Sequence, residues 1–357
     1  MKILFLYRYG ILGGVCTQLF HRFRHLPKEA GIELHCGFRS DHGVKEMLSP
    51  YATLHFGLNK ETTIDFLKEN HFDKIIIIDS EEFIEAIREV ELKSTVIVEV
   101  HTSIERNLEY LSRIESSDVD SFVTVSKYMI GRIQHHIQPQ LAEMKIHRFQ
   151  NVLDTEVFTQ TNISSEGPPV IAWIGKIDDH KDWRAFMEIA SKVHKQNSEI
   201  EFWIIGGQTC PETRVLEVFD FAEEMDILRR FRWIDRIENI KMPELYSLVT
   251  ERGGLSLVTS HCESFGMSVL ESLLTGCPIV SSNVGALPEI TTHDTYFQLY
   301  ELHDYDEAAK LCLDVISNPT LIKKSLSEIR NSLVEEYSSE TRSIEYWNLI
   351  KSIGDEK

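Results

Sequence analysis

Two glutamates in the stretch HCESFGMSVLES (261–272), Glu263 and Glu271, lie eight positions apart on either side of a Ser-Phe-Gly step. Carboxylates this close in sequence invite an acid/base reading, in which one holds a proton that the other has released. The run before them, GLSLVTS (254–260), has strand composition. The run that follows, GMSVLESLLTG, reads as a helix stopped by Gly276. Glu263 then falls in the strand–helix turn and Glu271 about a turn and a half into the helix. On one helix, eight residues leave two side chains about 80° apart, so the pair would not share a proton. They are spaced to reach different parts of an extended ligand. The amides of Phe265, Gly266 and Met267, at the helix N-terminus between them, favour an anion there. A loop glutamate and a surface glutamate would fit the composition equally well.

Two further turns carry comparable signals. Gly13-Gly14 follows the strand-like KILFLY (2–7) and opens a helical pattern, a place where backbone amides approach an anion. Tight-turn geometry would explain the pair as readily. In WIGKIDDHKDW (173–183), Lys176 and Lys181 stand five apart beyond a strand and could bracket a diphosphate as point charges, or serve only to solvate the loop. No His/Asp/Glu set has metal-ligand spacing, so no metal is expected.

These turns need elements to hold them. At 357 residues the chain exceeds one ordinary core. Strand-like runs at 2–7, 32–38, 74–79, 94–100, 121–126 and 145–150 alternate with helical periodicity. After a polar stretch, TQTNISSEGPP (159–169), the alternation restarts at 170–175, 201–207, 228–234, 254–260, 278–285 and 296–300. This is the signature of two doubly wound α/β domains, with 159–169 as the linker. The stretch 338–353 reads as a capped helix whose Tyr346 and Trp347 need a surface. Net charge is −19, from 37 basic and 56 acidic side chains, which argues against nucleic acid as partner. The basic run HRFRHLPK (21–28) leaves a weak peripheral membrane contact open, although a solvated helix face is the plainer reading. Six scattered cysteines and no apolar run of membrane-spanning length suggest a reduced, cytoplasmic protein.

The run ESFGMSVLESLLTGCPIVSSNVGALPEI resembles the E-x7-E region of retaining GT-B glycosyltransferases of family GT4. Gly13-Gly14, His101 in EVHTS, VTVS (123–126), NVLDTEVF (151–158) and GKIDDHK (175–181) match that family's further segments in order. The resemblance implies a GT-B fold: two Rossmann-like domains facing a central cleft, at 1–160 and 161–337, with a C-terminal helix (338–357) crossing back to the first. It implies that Glu271 binds ribose and that Gly13, Gly14, Lys176 and Lys181 meet a diphosphate. Glu263 with Phe265, Gly266 and Met267 would hold the donor sugar. His101 and Glu263 would be the catalytic residues, with His101 near the reacting carbon. Asp235 or Arg236 would contact the base. Three positions depart from the pattern: Lys176 stands where Arg is usual, Ser272 where Ala is, and Ala286 where a second Gly is common.

The implied activity is transfer of a hexose-type sugar from a nucleoside-diphosphate sugar, UDP favoured, to a hydroxyl. The mechanism would be front-face, retaining and metal-independent, with no cofactor beyond the donor co-substrate. The acceptor, whether glycan, lipid-linked or small molecule, is not encoded in these motifs. A GT-B epimerase or hydrolase acting on the same donor, and a non-catalytic NDP-sugar-binding protein, are the competing readings.

Overall fold

The computed structural model describes residues 1–27, 30–206, 211–235, 237–290 and 296–354, with backbone alone for 320–327. The chain divides into two compact units, Met1–Val152 with Tyr337–Lys357, and Leu153–Glu336.

Among the described residues the first unit holds seven strands: β1 (Lys2–Tyr7), β2 (Glu33–Phe38), β3 (Thr53–Phe56), β4 (Lys74–Ile78), β5 (Thr95–Val100), β6 (Ser121–Thr124) and β7 (Ile146–Arg148). They pair in the order β3-β2-β1-β4-β5-β6-β7, all parallel. Ile75 to Ile78 are fully buried, as a strand covered by helices on both faces requires. The six expected strands are all present. The sheet adds β3, a four-residue edge strand too short to show a period. Strand order reverses between β1 and β4, and in doubly wound sheets ligands bind beyond the carboxyl ends at such a point.

The helix Ser339–Ser352 packs on this unit. Tyr346 and Trp347 are buried, Trp347 standing edge-on to Phe5 at 6.2 Å between ring centres. The Trp347 indole N–H donates to the Arg22 carbonyl at 2.8 Å. At the helix C-terminus the Lys74 ammonium donates to the carbonyls of Ile350 and Lys351 at 2.8 Å, and to that of Ile353. A cation is favoured there because the last carbonyls lack intrahelical donors. The expected cap is absent: Ser338 precedes the helix without a side-chain bond to it.

Part of the basic run differs from expectation, while Arg24 is exposed and Lys28 lies outside the described residues. His21 and Arg22 are buried, so neither a solvated face nor a membrane contact describes them. Arg22 is drawn inward by Glu99 of β5, which takes its Nη1 at 2.6 Å. Among the described residues, no helix is long and apolar enough to cross a membrane.

The second unit holds β8 (Val170–Ile174), β9 (Glu201–Ile205), β10 (Phe231–Ile234), β11 (Leu255–Val258), β12 (Ile279–Ser282) and β13 (Phe297–Tyr300), in the parallel order β10-β9-β8-β11-β12-β13. Its reversal lies between β8 and β11. The polar stretch at 159–169 belongs to this unit by its contacts, with the Thr161 N–H donating to Ser247 Oγ at 2.9 Å. Just upstream of that stretch the Thr155 carbonyl accepts from Arg330, which also donates to the Leu274 carbonyl.

Candidate active site

In the second unit the charged groups gather where strand order reverses. The loop after β8 carries Lys176, exposed, and Lys181. The loop after β11 carries Ser260, His261 and Glu263. A web of bonds joins the two loops. Thr259 Oγ1 lies 2.8 Å from the carbonyls of both Lys181 and Asp182 and accepts the Trp173 indole N–H at 2.9 Å. The His261 N–H donates to the His180 carbonyl, and its ring lies 3.0 Å from Asp182 Oδ2. Asp182 caps the following helix, Trp183–Gln196, through the Ala185 N–H.

Lys181 and Glu263 meet at the centre of this web. The ammonium donates to Glu263 Oε1, which also accepts the Ser260 hydroxyl at 2.7 Å. Burial alone would raise the Glu263 carboxyl. The Lys181 charge and the bonds from Lys181 and Ser260 outweigh it and hold the group below the usual carboxylate range.

The turn between the two glutamates is shaped by glycine. Gly266 has φ +99° at the N-terminus of the helix Met267–Leu274, and a Cβ there would lie 2.4 Å from Leu287 Cδ2. Gly285, in the loop after β12, has φ +57°, and its Cβ would collide with the Glu263 carbonyl at 2.2 Å. The neighbouring Ala286 N–H donates to that same carbonyl at 2.9 Å. NVGALPE therefore props the Glu263 turn from behind, which gives the small residues downstream of E-x7-E a physical role. Phe265 is buried beneath the turn, and Met267 opens the helix half-buried.

Glu271 has other company. Its Oε2 accepts the hydroxyl of fully buried Tyr246 at 3.3 Å. Burial pushes its carboxyl up to about 7, against the hydrogen bonds from Tyr246 and Asn239. The two glutamates thus have separate partners and opposite displacements, one held ionised and the other poised near neutrality. They do not form an acid/base pair.

Asp235 is exposed just beyond the edge strand β10, and Arg236 lies outside the described residues. Trp233, within β10, is half-buried with its indole N–H on the Gly206 carbonyl at 3.0 Å.

In the first unit, Gly13 and Gly14 follow β1 and open the helix Gly14–Arg24. Gly13 is extended, neither residue has positive φ, and a Cβ at Gly14 would meet nothing within 4 Å. Turn geometry therefore does not require this pair, and Gly14 is exposed with open space beside it. His101 lies just past β5, nearly buried. Its N–H donates to the Asp79 carboxylate at 3.1 and 3.2 Å, and its Nε2 lies 3.3 Å from Glu99 Oε1. Glu99, Arg22 and Asp79 escaped the sequence reading. A glutamate inside the apolar VIVEV was the one available signal, because a charge in a buried strand must be paired.

The two parallel sheets make a pair of Rossmann-like domains, the architecture of the GT-B class, to which the similarly folded structures below belong. The chain belongs to the group 1 glycosyl transferases, whose family model matches residues 154–335, about half of it. It is 23% identical over 186 residues to the 2-deoxystreptamine N-acetyl-D-glucosaminyltransferase of Niallia circulans, covering 52% of this chain and 46% of that one. It is 23% identical over 223 residues to the glycogen synthase of Mycobacterium tuberculosis, covering 62% and 51%. Its matches thus span about half or less of the length of these curated relatives. The fold agrees with that of Anabaena HepE in complex with UDP and glucose, with a TM-score of 0.82, 15% identity, and coverage of 99% and 100% of the two chains. The sucrose-phosphate synthase of Thermosynechococcus elongatus gives a TM-score of 0.80 at 13% identity, covering the whole of both chains.

Proposed function

We propose that the protein is a retaining glycosyltransferase that moves a hexose-type sugar from a nucleoside-diphosphate sugar, with UDP favoured over GDP, to a hydroxyl acceptor. The observation that carries this reading is the Lys181–Glu263 contact at the reversal point of the second sheet, with Glu271 on the adjoining helix. Membership of the group 1 family supports it, as does the UDP and glucose bound to the similarly folded HepE.

In this reading Lys176, Lys181 and the amides at Gly13 and Gly14 meet the diphosphate, and Glu271 takes the ribose hydroxyls. Glu263, with the helix N-terminus at Phe265, Gly266 and Met267, holds the sugar hydroxyls, and His101 contacts the sugar. Asp235 or Arg236 stands by the base. The bond from the anomeric carbon to the β-phosphate oxygen breaks while the acceptor oxygen attacks the same face. The acceptor proton passes to the departing phosphate oxygen, so no carboxylate nucleophile is required. Positive charge grows on the sugar and negative charge on the diphosphate. The lysines and amides stabilise the second charge from fixed positions, the part a metal ion plays elsewhere. Lys176 supplies a point charge rather than the two-pronged contact of an arginine.

The test is a thermal-shift screen with UDP, GDP and their hexose conjugates, followed by NMR of the transferred sugar's anomeric configuration. A shift with UDP-sugars and a product of retained configuration are expected. Inversion, or release of free or epimerised sugar without an acceptor, would overturn the proposal.

A further inference from the structure

Glu99 and Arg22, sealed in the first unit, have no part in the reading above. A charged pair withdrawn from water is a poor source of stability, since apolar residues of similar volume often serve as well. What sets this pair apart is its third neighbour. Glu99 stands on β5 and His101 just past its end, two residues on, with the two side chains in contact. Glu99 Oε1 takes Arg22 Nη1 at 2.6 Å and lies 3.3 Å from His101 Nε2. Its Oε2 accepts the Tyr346 hydroxyl at 3.2 Å. The Arg22 guanidinium in turn lies over the Tyr346 ring at 4.1 Å.

Burial alone would raise the Glu99 carboxyl, but the Arg22 charge and the His101 ring hold it at about 2. It is therefore ionised at any working pH. An ionised oxygen facing a ring nitrogen accepts an N–H and repels a lone pair. At 3.3 Å the contact orients the ring without closing a hydrogen bond, and Nδ1 is the nitrogen left for a ligand. The main chain is fixed too, because the Asp79 carboxylate at the end of β4 takes the His101 N–H.

We propose that Glu99, held by Arg22 and Tyr346, is the positioning residue of His101: it fixes the orientation of the ring so that Nδ1 meets a sugar hydroxyl. Through the Tyr346 hydroxyl, the C-terminal helix Ser339–Ser352 becomes part of the support of the sugar contact. This inference rests on the assignment of His101 to the sugar.

The experiment compares His101→Ala, Glu99→Gln and Tyr346→Phe by steady-state transfer and by nitrogen NMR of the histidine rings. Glu99→Gln keeps the shape and removes the charge; kcat is expected to fall about tenfold or more with donor KM within about threefold, and the His101 ring-nitrogen signals to shift. Tyr346→Phe keeps the ion pair but frees Oε2, and a loss of about three- to tenfold in kcat is expected. If His101→Ala leaves transfer intact, the site assignment fails and takes this inference with it. If His101→Ala is inactive while the other two folded variants keep wild-type kcat and the wild-type His101 ring signals, the positioning role alone is overturned. Should Glu99→Gln not fold, Tyr346→Phe decides by the same two readouts.

Discussion

The Lys181 ammonium rests on the Glu263 carboxylate across 82 positions of sequence, in a turn where the lysine side chain is 26% exposed and the glutamate 13%. The pair is too enclosed to be an ordinary surface bridge, and each member is the counter-charge of the other. A diphosphate arriving at Lys181 competes with Glu263 for the same ammonium, so the donor must bring its own partners for the carboxylate. Sugar hydroxyls are suited to that.

Opposite outcomes are therefore expected from the two halves of the contact. Lys181→Met strands a carboxylate in a mostly closed turn and should cost about 1–3 kcal/mol of stability, together with at least tenfold in UDP-sugar affinity. Glu263→Gln releases the lysine. It should bind UDP at least as tightly as the wild type and yet transfer sugar at least about tenfold more slowly. Calorimetric titration with UDP and with UDP-hexose separates the two, and markedly weaker UDP binding by Glu263→Gln would count against competition for Lys181.

Glu271 gives a pH signature. Burial raises its carboxyl to about 7, so the folded protein holds this proton more firmly than the unfolded chain does. The sign follows: the contribution to stability is full below the ordinary carboxylate range and is lost as pH rises towards 7, by at most roughly 3 kcal/mol. Asp79, raised to about 6 by burial, acts in the same direction, so only a difference between variants isolates Glu271. Relative to wild type, Glu271→Gln should gain in Tm as pH rises from about 4.5 to 7 and level off above. Donor affinity should move the other way in the wild type, strengthening through pH 7 as the carboxylate becomes able to accept from both ribose hydroxyls. In the Gln variant it should stay flat. A wild-type donor affinity constant across that range would remove Glu271 from the ribose.

Much of this was legible beforehand because parallel strands buried on both faces read as apolar runs. KIIII at β4 and VIAWI at β8 are plain examples. The strand–helix turns that hold Lys181, Glu263 and Gly14 follow from those runs by position alone. The edge strand Thr53–Phe56 was not legible, since four residues show no period. Nor was the set Arg22, Glu99 and Tyr346, whose members lie 77 and 247 positions from one another across the sheet and the C-terminal helix. The local pattern around Arg22, a basic stretch on a helix, pointed outward. Only the sheet beneath supplies the buried carboxylate that turns it in.

The glycines give the sharpest separation of fold from function. Gly266 is needed by the backbone: at φ +99°, with Leu287 2.4 Å from where a Cβ would stand, alanine there should cost about 1–3 kcal/mol and lower donor binding with it. Gly14 is not. It opens the helix Gly14–Arg24 with negative φ and empty space beside it, and alanine is the better helix former. Gly14→Ala should therefore melt no lower than the wild type. If the glycine is present to let a diphosphate approach the amides, that well-folded variant should bind UDP-sugar at least about tenfold more weakly, because a methyl group fills the space the phosphate needs. Undiminished affinity in Gly14→Ala would leave the open space at the end of β1 without a ligand and return the diphosphate to the lysines alone.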